Sequence, residues 1–362
     1  MSVLLSSIAA LLTSGIVLIL IMPFIRRLSI AIGAVAVPNH RTMHSSIMPR
    51  LGGLAIFISF MSAAALFYAK LAPTLPAFWG LFLAACIIEV VGVIDDVYTL
   101  SAKWKMLGQL LAASTVALSG FTIDQIHIPF GSDLYFPAWL SILLTIGWIV
   151  GMINALNWID GLDGLATGIA GISCLALCII AAMTGNVPVL IISATLLGSL
   201  AGFYLFNAEP ASIFMGESGS AFLGFVLAVL AILGFKQAIF VSFIVPLLIL
   251  GVPILDTLLA MVRRAMQGRP VYEADRGHVH HRLTDLGVSR RKTVYTLYVI
   301  SAFLGICAII LTKASQSGIT LVMLLLLVVL LILAGAELVG ISKGKLPLSA
   351  FLRRIRRVRE EK

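Results

Sequence analysis

The sequence predicts an all-α polytopic membrane protein of about eleven transmembrane helices. Of its 362 residues, 60% are hydrophobic and only 11% charged, with mean hydropathy +1.09; soluble domains average roughly 25% charged residues. Apolar runs close to the ~20 residues that cross a hydrocarbon layer follow one another along the chain. The Lys and Arg residues then orient these runs. Segments 23–50, 95–105, 263–292 and 340–362 hold 22 of the 25, and the alternate connections hold only Lys70, Lys236 and Lys313. Positive-inside bias therefore predicts an outside N-terminus and a cytoplasmic C-terminus.

The runs lie near 3–22, 51–69, 76–94, 106–120, 138–157, 165–184, 187–206, 219–235, 238–262, 293–312 and 317–339. The first has no basic leader and ends at Pro23 with Arg26 and Arg27 behind it, so it reads as a retained span. Connection 121–137 alternates apolar and polar residues around Gly131-Ser132-Asp133, which predicts a short extracytoplasmic β-hairpin. Pro246, Gly251 and Pro253 predict a kink in the ninth run. Residues 1–340 read as one multi-span domain and 341–362 as a basic cytoplasmic tail. The arginines of that tail suit a surface amphipathic helix or a simple topogenic stop. All four cysteines fall within apolar runs and read as small filler without a disulfide. The net charge of +9 traces one membrane face with no recognition module, which excludes nucleic acid as a partner and suits anionic headgroups.

Ionisable groups are costly at membrane depth and mark function by default. Residues 154–166 place Asn154, Asn157, Asp160 and Asp163 at three-residue spacing between two apolar runs, with Gly161 and Gly164 loosening the backbone beside the acids. Such oxygen donors suit a hard cation such as magnesium, and through it a phosphate. Asp95 and Asp96 end the third run on the same expected side. Helical neighbours point about 100° apart, so the two acids take different partners: one a substrate, the other a metal, a lysine or a helix end. Glu217, in Met215-Gly-Glu-Ser-Gly-Ser220, adds another hard ligand on a turn that glycine permits. His278, His280, His281 and Arg282 lie in the long basic connection. Without a fourth ligand or a His-Glu-x-x-His arrangement, they suit phosphate binding or proton transfer better than zinc. Arg50, before Gly52-Gly53, is either a phosphate ligand or a topogenic charge, and Asp256 either pairs with Arg263-Arg264 or lines the site.

Five motifs in this order resemble one family. They are Pro49-Arg-x-Gly-Gly, Ile94-Asp-Asp, Asn154-Ala-x-Asn-x-x-Asp-Gly-x-Asp-Gly-Leu-Ala166, Met215-Gly-x-Ser-Gly-Ser220 and Gly277-His-x-His-His-Arg-Leu283. Together they resemble the polyprenyl-phosphate N-acetylhexosamine-1-phosphate transferases of glycosyltransferase family 4. The His-x-His-His form looks like the branch using UDP-N-acetylglucosamine, which includes the initiating enzymes of wall teichoic acid and O-antigen synthesis. The resemblance implies transfer of GlcNAc-1-phosphate from UDP-GlcNAc to undecaprenyl phosphate at the cytoplasmic face of a bacterial plasma membrane, releasing UMP. It implies magnesium as cofactor, with manganese as a substitute, and leaves a homodimer open. By motif, it makes Asp95 and Asp96 the catalytic pair and Asn157 and Glu217 the metal positions. Asn154, Asp160, Asp163, Arg50, His278, His280, His281 and Arg282 become the substrate-binding set. The family usually has Asp where this chain has Glu217. The extra methylene exceeds the tolerance of magnesium's octahedral shell, so the backbone or a water must absorb it.

Two rivals fit less well. A cation-coupled transporter or flippase would show internal repeats and midplane acids, whereas these acids gather at one expected face. A CDP-alcohol phosphotransferase shares Asp160-Gly-x-Asp-Gly-x-Ala, but that motif needs Arg where Thr167 stands.

Overall fold

The computed structural model describes residues 2–36, 47–67, 78–126, 134–235, 244–268 and 277–313. Eight helices come first: α1 (Val3–Ala31), α2 (Gly52–Leu66), α3 (Phe78–Tyr98), α4 (Ala102–Leu118), α5 (Ala138–Ile159), α6 (Leu165–Thr184), α7 (Val187–Asn207) and α8 (Gly216–Phe235). After them come α9 (Ile244–Ile249), α10 (Gly251–Met266), α11 (Val279–Asp285) and α12 (Arg290–Lys313). Seven of these, α1, α3, α5, α6, α7, α8 and α12, are long and apolar enough to cross a membrane. The chain is thus a multi-pass helical membrane protein.

Of the about eleven expected spans, seven have the length and apolarity to cross a membrane among the described residues. Among the described residues, the second and fourth runs form helices of only 15 and 17 residues. The ninth run breaks at Leu250 into α9 and α10, because Pro246 and Pro253 remove backbone donors on either side of Gly251. The eleventh run and the basic tail lie outside the described residues. In connection 121–137, Gln125–Ile126 pairs antiparallel with Leu134–Tyr135, and Gly131-Ser132-Asp133 lie outside the described residues. A second two-strand pair joins Val35–Ala36 to Met48–Pro49.

Helix α8 is the axis of the bundle. Its apolar window is 89% buried, against 28% for α1, and it packs on α5, α3 and α2. Without a hydrophobic force between helices in lipid, close approach depends on small residues and interhelical hydrogen bonds. A side chain at Gly53 would overlap the backbone of Gly219, and one at Gly92 would overlap Ser218. Between α1 and α7, Gly198 lies against the Leu11 carbonyl, and Ser14 Oγ donates to Thr195 O at 2.7 Å. Outward-facing Leu12, Leu20, Phe24 and Leu83 leave an apolar surface for lipid.

Successive helices from α1 to α8 alternate in direction. The C-terminal ends of α1, α3, α5 and α7 and the N-terminal ends of α2, α4, α6 and α8 therefore meet on one side. All the polar motifs up to Ser220 sit at those ends.

The glycine contacts give a direct check. Gly53→Val places a branched side chain against fixed backbone, so its loss should exceed the roughly 1–3 kcal/mol of ordinary core overpacking. Gly147→Ala, with nothing within 4 Å of an added Cβ, should keep or slightly raise stability. Thermal unfolding of the purified protein in detergent compares the two.

Candidate active site

The site is organised where α3 meets the start of α8. Asp96 is 4% exposed. Its Oδ1 accepts from Glu217 N at 2.8 Å, and its Oδ2 accepts from Ser218 N at 3.1 Å and Ser218 Oγ at 2.8 Å. The acid thus satisfies amides that a helix N-terminus leaves unpaired, and the helix dipole favours its charge. Arg50 Nη2 stands 3.5 Å from Asp96 Oδ1. The backbone around Arg50 is fixed by Gly52 N to Phe214 O at 3.0 Å, Gly53 N to Met215 O at 2.8 Å and Phe214 N to Pro49 O at 2.8 Å. Gly216 turns at φ +77°, and a side chain there would overlap the Arg50 carbonyl.

Asp95 faces the other way. Its Oδ1 accepts from Leu100 N at 2.6 Å, and Lys105 Nζ lies 3.0 Å from Oδ2. The same ammonium is 3.3 Å from Glu217 Oε2. Lys105 therefore links the first acid of the pair to Glu217, while the second acid caps Glu217's helix.

Residues 154–166 do not form one helical row. Helix α5 ends at Ile159, Asp160 caps it, and Gly164 at φ +75° starts α6. Asn157 Nδ2 donates to Ser220 Oγ at 2.9 Å, whereas Asn154 Nδ2 donates to Gln109 Oε1 at 2.8 Å, away from the cavity. The turn is pinned by Asn207, whose Oδ1 accepts from Gly164 N at 3.2 Å and Thr167 Oγ1 at 2.7 Å, and whose Nδ2 donates to Ile213 O at 3.1 Å. Ala211 N donates to Asp163 Oδ2 at 3.0 Å, and Tyr298 Oη to Gly164 O at 2.5 Å.

These elements surround a cavity of about 290 Å³ whose polar lining includes Arg50, Asn157, Asp160, Asp163, Asn207 and Glu217. Burial pushes Asp160 up to about 7, and the carboxylates of Glu217, Asp96 and Asp163 add to the effect over the opposing pull of Arg50. So much negative charge around one oxygen-lined space favours a cation.

Of the expected site residues, the cavity wall gathers Arg50, Asn157, Asp160, Asp163 and Glu217. Asp95 and Asp96 stand behind it, and Asn154 is turned away. The histidine segment docks against its rim as part of helix α11 rather than as a loop. His278 is the N-cap residue of α11, and His280, His281 and Arg282 lie within it. A side chain on Gly161 would overlap His280 Nε2. His278 packs 6.0 Å from the Trp158 ring, and Arg264 sits 5.0 Å over that same ring. Asn207 and Tyr298 escaped the sequence reading because each is a lone polar residue at a span end or in an apolar run.

Among the described residues no three His, Cys, Asp or Glu side chains form a ready-made metal cluster. Magnesium does not need one: it usually keeps several waters and takes one or two carboxylates plus substrate phosphates. Oxygens of Asn157, Glu217 and Asp160 on one cavity fit that mode.

The geometry defines a helical membrane protein with a charged, oxygen-rich cavity at one end of an apolar bundle. Residues 78–235 match the model of glycosyl transferase family 4. The chain is 38% identical over 352 residues, covering 96% of each protein, to a probable undecaprenyl-phosphate N-acetylglucosaminyl 1-phosphate transferase of Bacillus subtilis. It is 35% identical over 304 residues to a decaprenyl-phosphate N-acetylglucosaminephosphotransferase of Mycobacterium tuberculosis, covering 76% of this chain and 75% of that protein. A Yersinia pestis undecaprenyl-phosphate alpha-N-acetylglucosaminyl 1-phosphate transferase is 26% identical over 298 residues, covering 79% of each. The chain belongs to glycosyl transferase family 4, among phospho-sugar transferases of the membrane.

His280 yields a pH prediction. It is 1% exposed with neither ring nitrogen hydrogen-bonded among the described residues, and burial, with His281 beside it, lowers its pKa to about 4. The unfolded chain titrates near the ordinary ~6.5. Between these values the unfolded state binds more protons, so stability falls as pH drops from about 6.5 toward 4. His280→Asn should flatten that loss, as measured by melting temperature against pH.

Proposed function

We propose that the protein transfers N-acetylglucosamine-1-phosphate from UDP-GlcNAc to undecaprenyl phosphate, releasing UMP and forming undecaprenyl-diphosphate-GlcNAc. The observation that carries this reading is the union, on one cavity, of the Asn157–Asp163 turn, Glu217 and Arg50 at the end of an apolar bundle. Such a place lets a soluble nucleotide sugar meet a phosphate carried on a lipid. The positive-inside bias supports a cytoplasm-facing site in a bacterial plasma membrane.

Phosphoryl transfer between two anions depends on charge neutralisation and positioning more than on covalent help. Asn157 and Glu217 would hold magnesium, with Asp160 beside them. When bound, the ion would supply charge neutralisation to the transferring phosphates. Arg50 offers a planar fork of donors to a phosphate oxygen pair, a geometry lysine lacks. Asp163 and Asn207 hold the turn that shapes the donor pocket. Asp95, held behind the cavity wall by one backbone donor and the Lys105 ammonium, is the acid we assign as base for the lipid phosphate; it would act once Lys105 turns to the incoming phosphate. Asp96 is committed to α8.

Purified protein with UDP-GlcNAc and undecaprenyl phosphate tests the reading by UMP release. Asp95→Asn should lose roughly 10²–10⁴-fold in turnover, the range for a lost general base. Glu217→Gln should lose magnesium dependence together with activity, while Glu217→Asp retains both. Full activity in Asp95→Asn and Glu217→Gln, insensitive to EDTA, would overturn the site. Turnover of UDP-N-acetylgalactosamine in preference to UDP-GlcNAc would overturn the donor.

A further inference from the structure

We propose that Asp256 is the positioning residue for His278, fixing its tautomer and its place at the rim of the cavity. The kinetic part of this proposal rests on the transfer reading; the structural part does not. Asp256 is 4% exposed and His278 6%. Asp256 Oδ2 lies 2.8 Å from His278 Nδ1, and Oδ1 accepts from Val279 N at 2.8 Å. Both oxygens of one buried carboxylate are thus spent on two consecutive residues. A residue serving only as a counter-ion for Arg263 or Arg264 would not need that arrangement.

The same helix face holds the residue before them. Seven positions along α10, two turns on, Arg263 Nη1 donates to Gly277 O at 2.9 Å. A side chain on Gly277 would overlap the Arg263 guanidinium, so glycine there lets the guanidinium lie against the backbone. Residues 277, 278 and 279 are therefore gripped in sequence by one side of α10. The gripped segment rests on the cavity turn: His278 stacks on His280 with ring centroids 5.9 Å apart, and His280 Nε2 abuts Gly161.

The chemistry follows from what a carboxylate can do. It accepts hydrogen bonds and donates none, so Nδ1 must carry the hydrogen. That leaves Nε2 as the ring atom free to serve substrate. Partners of this kind fix the tautomer and orientation of a working imidazole without touching the reacting atoms.

The test uses the full chain in lipid nanodiscs, with ¹⁵N-labelled histidine and His278→Ala to assign the signal. Wild type should show His278 as the Nδ1–H tautomer, and Asp256→Ala should lose it to the Nε2–H form. In turnover, Asp256→Ala should fall roughly 10–100-fold, as when other outer-shell partners of histidine are removed. The double variant Asp256→Ala/His278→Ala should be no slower than His278→Ala alone, because a positioning residue has nothing left to position. Asp256→Asn keeps an acceptor for Nδ1–H and should lie between wild type and Asp256→Ala; it also serves if the alanine variant fails to fold. An Nε2–H tautomer in wild type, an unchanged tautomer in Asp256→Ala, or additive losses in the double variant would overturn the proposal. A protein with no turnover of UDP-GlcNAc but the expected tautomer change would instead overturn the transfer reading and support the positioning role.

Discussion

The buried carboxylate of Asp96 at the head of α8 is the interaction on which the rest of the site depends. A charged acid inside an apolar bundle is tolerable only when its lone pairs are filled. Here two amides and a hydroxyl from residues 217 and 218 fill them, with the Arg50 guanidinium alongside. Hydrogen bonds to a charged group contribute about 1.5–3 kcal/mol each, and stripping a buried charge of its partner costs about 3–5 kcal/mol. The cap therefore ties α3, α8 and the 49–53 segment into one unit. The glycine contacts at 53 and 92 let the three elements come close enough for it to form.

This arrangement divides the labour of two adjacent acids. Asp96 faces α8 and is structural in its contacts. Asp95, about 100° around α3, faces α4 and meets Lys105. Because Glu217 follows directly on the capped turn, its carboxylate is delivered to the cavity wall and to Lys105 together. The longer side chain, where the resembling family usually has Asp, has a consequence in this chain: it spans from the backbone held by Asp96 to the ammonium held by Asp95.

Much of this was legible in the sequence. Long apolar runs gave α1, α3, α5, α6, α7, α8 and α12, because burial in lipid demands little beyond length and hydropathy. The divergence of Asp95 and Asp96 followed from helical geometry alone. Asn154 was misplaced for a related reason. Three residues advance a helix by about 300°, and the remaining 60° was enough to turn Asn154 toward Gln109 on α4 while Asn157 met Ser220 on α8. Asn207 was invisible because its partners lie about forty residues upstream on the 164–167 turn. The clamp of Asp256 on His278 was equally hidden, since acid and imidazole are 22 residues apart and only the fold at Gly277 joins them.

Thermal unfolding of Asp96→Ala beside Asp95→Ala, in the same detergent, separates a keystone from a pair of equivalent acids. If Asp96 holds the start of α8, its alanine variant unfolds several degrees below wild type, while Asp95→Ala, which frees one amide and leaves Lys105 its contact with Glu217, falls by clearly less. Equal melting temperatures for the two variants, or a wild-type value for Asp96→Ala, would contradict the keystone role of that carboxylate.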